Sequence, residues 1–585
     1  MALANVKRLL GFMKPFKWAL LAALALTGAL TLIGMAPPLL MRRLLNDVAR
    51  EGQWGLLPLL MTLMFAVPVL RAVVNIANAI VLNRVGLGII ADTRKRMFEH
   101  LLSLSMDFYG RTTPGAINQR IMGDVATVSG VATGGALTLV ADSVALVFAV
   151  VVMVGLSGRL TLLTALLLPL YYFNFRFFSR RMRDANALLR SHMDHISSTL
   201  QERLSAHELI QSFGAEKEGA AHFSSQARQV MDAAVRGSAY NITFNQLANF
   251  LNRLANTLIY CAGCYLFVKG TMGYGDVVAF CAYATQILGP VVRFGTVANQ
   301  IVQAGVSVDR IQQVLDTPPG IATKPDALPV ETLRGDLSID GVAFDYANGQ
   351  RGVEEVTFSI PAGTHVGVVG TRGSGRTTLA MLLRRLFDPA AGRIAMDGRD
   401  IREYRLRDYR RASALVMTES AVFDGTIREN LCYGNPSASE ERVVEVARAV
   451  GLDSLVAQLS HGYDTHIGSG GLRLSSGDRQ RLGVARALLA EPLILFVDDA
   501  LATLDAVSAE EVREAIRREM AGRTCLIVVH RALLAKDMDM VAVMKDGRIE
   551  ESGTHDELLA RHNGWYRHIF ALQYGEERLP RADAQ

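Results

Sequence analysis

The sequence predicts an all-α transmembrane domain of six helices followed by an α/β domain built around a phosphate-binding loop. Three observations carry that reading. Six uncharged or nearly uncharged runs fill the first half of the chain. A short apolar strand pattern, Thr364 to Val369, leads into Gly-Thr-Arg-Gly-Ser-Gly-Arg-Thr at positions 370–377. Far downstream, the apolar run Leu493-Ile-Leu-Phe-Val497 delivers Asp498 and Asp499 at its end.

The apolar runs are Trp18 to Met41, Leu56 to Leu82, Val131 to Leu156, Leu160 to Phe175, Phe244 to Val268 and Val277 to Val291. A helix needs roughly 20 apolar residues to cross a bilayer. The fourth and sixth runs are short and must extend through polar neighbours into protein-lined surface. Half of the 585 residues are hydrophobic, and the mean hydropathy of +0.22 is high for a soluble chain. The first run is too long for a cleavable signal and continues as a span. Ahead of it, Val6 to Lys14 reads as an interfacial amphipathic helix.

Charge orients these spans. The connection between the second and third holds Arg84, Arg94, Lys95, Arg96, Arg111 and Arg120, and that between the fourth and fifth holds Arg180, Arg181, Arg183 and Arg190. The remaining connections are shorter and less basic. The positive-inside rule therefore places both termini and the two long excursions in the cytoplasm. A net charge of +5 needs no nucleic-acid partner, because basic loops at a lipid surface account for it. Five scattered cysteines do not make a disulfide framework. Cys261 and Cys264 form a C-x-x-C inside an apolar run without a second pair or nearby His, which favours a packed helix face over metal or redox chemistry.

Polar side chains inside spans are costly and face protein or water. Asn245, Asn249, Asn252 and Asn256 step by four, three and four, so they share one helical face, with Arg253 beside it. This stripe either lines a cavity or makes hydrogen bonds between helices. Asp142, Arg71 and Arg293 are further cavity candidates, or members of structural ion pairs.

The phosphate loop has a physical logic. Gly370, Gly373, Gly375 and Thr377 fit the G-x-x-x-x-G-K-[ST] spacing. Its glycines let backbone N–H groups close around phosphate oxygens, the next helix adds positive potential, and Thr377 can offer a hydroxyl to Mg²⁺. Thr371, Arg372, Ser374 and Thr378 complete the loop and the first helical turn. A glycine-rich stretch alone can be only a tight turn. Here it stands between a strand pattern and the apolar-faced helix pattern of Leu379 to Leu386, the context that phosphate binding requires. Arg376 occupies the lysine position, and a planar five-donor fork is not a compact ammonium. Asp498, at the end of a buried strand, is placed to hold Mg²⁺.

Between these elements lies Leu474-Ser-Ser-Gly-Asp-Arg-Gln-Arg-Leu482, followed by Gly-Val-Ala-Arg-Ala487. Here the chain resembles the ATP-binding-cassette (ABC) family, whose signature is L-S-G-G-Q followed by R-Q-R. The resemblance extends through Phe344-Asp-Tyr346, Leu504-Asp505 and His530-Arg531. Six spans with two long cytoplasmic excursions and one cassette resemble an exporter-type half-transporter. Asp107 to Gly115, running on to Asp124, and Gln201 to Glu216 match the excursions that carry coupling helices in that family. The implied organisation is a transmembrane domain over 1–312, a linker over 313–332 rich in Pro and polar residues, a nucleotide-binding cassette over 333–575 and a polar tail over 576–585, which reads as disordered.

The resemblance also assigns roles. ATP and Mg²⁺ are the implied ligands. Tyr346 would stack the adenine, the 370–378 loop would hold the phosphates, Thr377 and Asp498 would hold Mg²⁺, and His530 would contact the γ-phosphate. Two cassettes meet head to tail in the family, so Ser475 and Gly477 would face the nucleotide of a second chain, with Asp505 beside it. Three positions depart from the family pattern: Arg376 replaces lysine, Thr418 replaces glutamine, and Asp499 replaces the glutamate beside the attacking water. Ser476 and Asp478 alter the signature but leave Ser475 and Gly477.

Three changes in one pocket point to a site kept for binding rather than turnover. The leading expectation is one half of a heterodimeric transporter in a bacterial cytoplasmic membrane, with the cassette in the cytoplasm and a non-identical paralogue supplying the competent site. A slow homodimer and a nucleotide-regulated, non-transporting subunit are the alternatives. The cargo and its direction stay open, since the same layout also serves siderophore import.

Overall fold

The computed structural model describes residues 11–330 and 333–575. Most of the amphipathic Val6 to Lys14 segment, residues 331–332 of the linker and the polar tail lie outside the described residues. The described chain divides into two units, residues 1–99 with 115–316, and residues 100–114 with 317–585.

The first unit is helical throughout. Its opening run, Lys17–Gly34 and Ala36–Arg43, is broken at Met35, where Pro37 and Pro38 start a new helix. There follow Leu57–Ser103, an irregular run ending in Ala136–Leu156, then Gly158–Ser205, Glu216–Val268 and Tyr274–Leu315. Among the described residues four segments are long and apolar enough to cross a membrane: Gly11–Arg50, Trp54–Ser103, Pro114–Leu156 and Gly158–Ser205. The fifth helix is not among them, because Asn252, Arg253 and Asn256 dilute it. Large apolar side chains on these helices, among them Trp18, Phe65, Leu162 and Phe173, are exposed, as a lipid-facing surface requires.

Inside this unit Met35, Met153, Leu160, Ile259, Phe280 and Tyr283 pack together, and the Tyr283 hydroxyl donates to Met35 O at 2.5 Å. Polar groups on the sixth helix find partners on other helices. Arg293 makes a two-pronged ion pair with Asp142, at 2.8 and 2.6 Å. Towards the helix end, Arg310 and Ser307 both donate to buried Asp124. At its start Asp276 accepts from Arg42 and Asn46. Of the sequence candidates, Asp142 and Arg293 are thus ion-paired with each other, while the Arg71 guanidinium lies against Gly34.

The asparagine stripe divides. Asn245 and Asn249 are exposed, whereas Asn256 donates to Asn252 Oδ1 at 3.1 Å and accepts from Thr285 Oγ1 at 3.1 Å. Asn256, Thr257, Tyr260 and Cys261 of the fifth helix and Cys281, Ala282 and Thr285 of the sixth line a pocket of about 430 Å³. Cys261 is exposed on this pocket and Cys264 is half-buried, both as free thiols.

Removing one member of a desolvated ion pair leaves an uncompensated charge. Asp142→Ala should therefore destabilise the membrane unit by on the order of 2 kcal/mol, below the cost for a fully buried pair because Arg293 is half exposed. A thermal melt in detergent measures this, and the double variant Asp142→Ala with Arg293→Leu should recover most of the loss. A melt unchanged by Asp142→Ala would show that the pair contributes nothing.

The second unit contains a six-stranded sheet in the spatial order Arg548–Gly553, Met540–Lys545, His365–Gly370, Thr524–Val528, Ile494–Asp498 and Ser413–Val416. Every neighbouring pair is parallel except the first. All five residues of Ile494–Asp498 and of Thr524–Val528 are buried, which explains their unbroken apolar runs: a parallel strand covered on both faces has no solvent side to alternate towards. A four-stranded antiparallel sheet containing Leu337–Asp345 and Arg351–Ile360 carries the aromatic loop between those two strands.

The proline-rich linker is tied down where it approaches this unit. Leu328 exchanges hydrogen bonds with Glu403 O and Arg405 N, and Ala322 O accepts from buried Arg385. The 100–114 segment belongs here too. His100 Nε2 lies 2.9 Å from Thr317 O, and Gly320 packs so closely on Ser105 that an added Cβ would sit 2.7 Å from its Oγ.

Candidate nucleotide site

In open parallel sheets, ligands bind beyond the C-terminal ends of the strands. His365–Gly370, Ile494–Asp498 and Thr524–Val528 all end at one place, and most of the phosphate-loop, aspartate and histidine candidates converge there. Gly370 leads into the loop, and a Cβ at this position would stand 2.3 Å from Met544 O. Gly373 and Gly375 hold φ of 82° and 96°, the left-handed region that glycine alone enters freely. The helix Arg376–Leu383 then begins with N–H groups that no preceding turn can satisfy. Ser374 is buried and its hydroxyl has no hydrogen-bond partner among the described residues. Such an orphaned donor beside free helix N–H groups fits a phosphate group.

Thr377 Oγ1 donates to Asp498 Oδ1 at 3.0 Å, bringing together the two oxygen donors that could hold Mg²⁺. Hard oxygen ligands suit this ion, which takes one or two carboxylates and completes its shell from phosphate and water. Among the described residues no group of three His, Cys, Asp or Glu side chains forms a metal cage, so the nucleotide would have to supply the remaining ligands. Burial raises the Asp498 carboxyl above the usual carboxylate range, although the Thr377 hydrogen bond opposes it.

The altered positions interlock. The Arg376 guanidinium is buried, donating from Nη1 to Val529 O at 3.1 Å and approaching His530 Nδ1 with Nη2 at 3.2 Å. Burial lowers the affinity of this guanidinium for its proton, and Asp499 and Asp498 oppose that shift. His530 Nε2 also lies 2.7 Å from Asp499 Oδ2, and Arg376 Nη2 stands 3.5 Å from the same nitrogen, so the guanidinium lies across the imidazole rather than in line with Nδ1. Asp499 adopts a left-handed backbone, φ 52°, which aspartate tolerates better than most residues. Burial raises its carboxyl as well, against the pull of His530 and Arg376. Thr418 donates to the Asp498 carbonyl at 3.2 Å, so its only hydroxyl is spent on the strand end.

Tyr346 sits over the start of the loop helix. Its hydroxyl is 2.9 Å from Thr378 Oγ1, and its ring meets Phe344 and Phe387 edge-on. That contact fixes the plane of the ring and leaves a face that could stack on a base.

Ser475, Gly477 and Asp505 form a second group. Ser475 caps the helix Ser476–Leu489, accepting from Asp478 N at 3.1 Å and donating to Asp478 Oδ2 at 2.5 Å. Gly477 faces Leu504, and Asp505 caps Ala506–Glu519 through Val507 N and Ser508 N. No hydrogen bond among the described residues joins this group to the phosphate loop.

Sequence reasoning missed two glutamines. Gln480 is buried, accepting from Ser420 and donating to Met417 O, so it ties the signature helix to the segment that carries Thr418. Its place in Arg479-Gln480-Arg481 was the available signal. Gln573 holds the backbone on both sides of Arg531; a lone polar residue on an amphipathic helix carries no such signal.

A membrane unit of long helices joined to a parallel-sheet unit with this loop, the paired aspartates and His530 beside them defines an ATP-driven transporter subunit. Comparison with known proteins agrees. The family described as "ABC transporter transmembrane region" matches residues 20–291, and that described as "ABC transporter" matches 353–502. The chain is 31% identical to the uncharacterized ABC transporter ATP-binding protein YknV of Bacillus subtilis, covering 98% of this chain and 95% of that one. It is 30% identical to an ATP-dependent lipid A-core flippase of Syntrophus aciditrophicus over the same shares. A bacterial Atm1-family ABC exporter solved with ATP bound superposes with a TM-score of 0.80 at 26% identity, over 96% of this chain and 99% of that one. The chain belongs to the ABC transporter family. It is an exporter-type half-transporter, with a helical transmembrane domain ahead of an ATP-binding cassette.

Proposed function

We propose that this chain is one half of a heterodimeric ABC exporter in the bacterial cytoplasmic membrane, with its cassette in the cytoplasm, contributing a degenerate ATP site and a serviceable signature segment to a non-identical partner. One observation carries this reading: Arg376, His530 and Asp499 are engaged with one another. A loop lysine serves phosphate as a point charge. Arg376 instead spends donors on Val529 O and the switch histidine. Asp499 is one methylene shorter than glutamate and spends an oxygen on the same ring. Thr418 has no amide with which to reach a metal. Backbone donors and Ser374 remain for phosphate, so the site binds Mg-ATP through Gly370 to Thr378, with Thr377 and Asp498 on Mg²⁺, and turns it over slowly. When bound, Mg²⁺ would neutralise charge on the phosphates. Tyr346 would stack the adenine, and His530 would sense the terminal phosphate.

The pocket at Asn256 and Thr285 sets a few polar groups in a mostly apolar lining, which supports a partly polar cargo. A homodimer with two slow sites is the second reading, favoured by the intact Ser475 and Gly477. The purified chain alone should bind Mg-ATP yet hydrolyse it on the order of 10² or more slower than the assembled complex. Equilibrium binding and a phosphate-release assay on the same sample measure both. Fast turnover by the chain alone would exclude the heterodimer, and no binding at millimolar ATP would exclude the retained site.

A further inference from the structure

The segment carrying His530 is gripped from two sides. Val529 O accepts from Arg376 of the phosphate loop at 3.1 Å. From the opposite side, Gln573 Nε2 donates to His530 O at 2.7 Å, while Gln573 Oε1 accepts from Ala532 N at 2.9 Å. Ala532 O in turn accepts from the Tyr566 hydroxyl at 3.2 Å. Backbone groups of residues 529, 530 and 532 are thus held by three side chains, two of them on the helix Trp565–Tyr574.

That helix is itself well anchored. Glu551 accepts from Trp565 N and Tyr566 N at its start, and the Tyr566 hydroxyl lies 2.6 Å from Nδ1 of buried His555. Gln573 and Tyr566 are seven residues apart, about two turns, so they share one face. A primary amide is suited to this task because one end donates while the other accepts. It closes on residues 530 and 532 as a neighbouring strand would. Leucine could do neither, glutamate could only accept, and asparagine is one methylene shorter.

We propose that Gln573 is a positioning residue for His530: the last turn of Trp565–Tyr574 sets where the imidazole stands between Arg376 and Asp499, and hence how the site tells ATP from ADP. The second half of this statement rests on His530 sensing the terminal phosphate; the first does not. The experiment uses the full-length chain in detergent with three variants, Gln573→Ala, Gln573→Glu and His530→Ala. Hydrogen exchange is followed at residues 529–532, and Mg-ATP and Mg-ADP affinities are measured. Gln573→Ala should speed exchange at Ala532, leave ADP affinity unchanged and lower the ATP-over-ADP preference about fivefold, the scale of one lost hydrogen bond. Gln573→Glu keeps the acceptor and loses the donor, so it should keep Ala532 protected yet still lose the preference. Unchanged exchange in Gln573→Ala overturns the proposal. So does faster exchange with the preference kept, where His530→Ala loses it. If His530→Ala itself keeps the preference, the reading of His530 falls, and exchange at Ala532 alone decides for or against the clamp.

Discussion

Ser475→Arg should abolish ATP hydrolysis by the assembled transporter, whereas Asp499→Asn should leave most of it intact. Ser475 is exposed at the cap of Ser476–Leu489, with its hydroxyl shared between Asp478 N and the Asp478 carboxylate. If this cap is presented to the competent site on a second chain, an arginine there brings a bulky cation where a small hydroxyl is needed. Loss of a positioned group at such a site costs on the order of 10²–10⁴ in rate. On the heterodimer reading Asp499 serves the other site, where its carboxylate is held on His530. A homodimer gives the opposite result for Asp499, because both of its sites would depend on that carboxylate. Phosphate release by the two purified variants therefore separates the two assemblies. A hundredfold loss from Asp499→Asn would end the heterodimer reading.

The second large effect concerns repair. Arg376→Lys, Thr418→Gln and Asp499→Glu together should raise turnover at this chain's own site by on the order of 10²-fold, and Asp499→Glu alone should do little. The reason is the interlock. With Arg376 in place, His530 remains held between a guanidinium and a carboxylate, so a longer carboxylate still has a partner that draws it from water. A lysine at 376 has no second donor group with which to span Val529 O and the imidazole together. Groups that act as a unit give strongly non-additive effects. Turnover is best read in a complex whose other site has been disabled. A single change that matched the triple variant would refute the claim that all three matter.

Much of the candidate site could be read from the chain because phosphate binding constrains backbone spacing, and spacing is visible in sequence. Gly370, Gly373, Gly375 and Thr377 sit on the strand-to-helix loop as expected, and Thr377 meets Asp498 across 121 positions. Side-chain direction was not legible. That Arg376 turns to Val529 and His530 depends on which buried acceptors lie within reach, a property of the packed site rather than of any local pattern. The membrane helices show the same division. Asp142 and Arg293 stand out because a lone charge in an apolar run is expensive, but nothing local says that they meet across 151 positions. The asparagine stripe was visible through its helical period, yet that period could not distinguish the half bonded to Thr285 from the half left exposed.

The attachment of residues 100–114 to the cassette unit has a consequence for how the protein is made. His100 meets Thr317 across 217 positions, with four long helices of the membrane unit threaded between them. A ribosome would release this short stretch long before the rest of its unit exists. Its place must wait while the intervening helices enter the bilayer. The entropy of closing such a loop grows only with the logarithm of its length, so the delay matters more than the distance. A fragment beginning at Thr317 would lack that earlier piece and expose the surface around Gly320 that it covers. Such a fragment should be more prone to self-association than the same unit supplied with a peptide spanning residues 100–114.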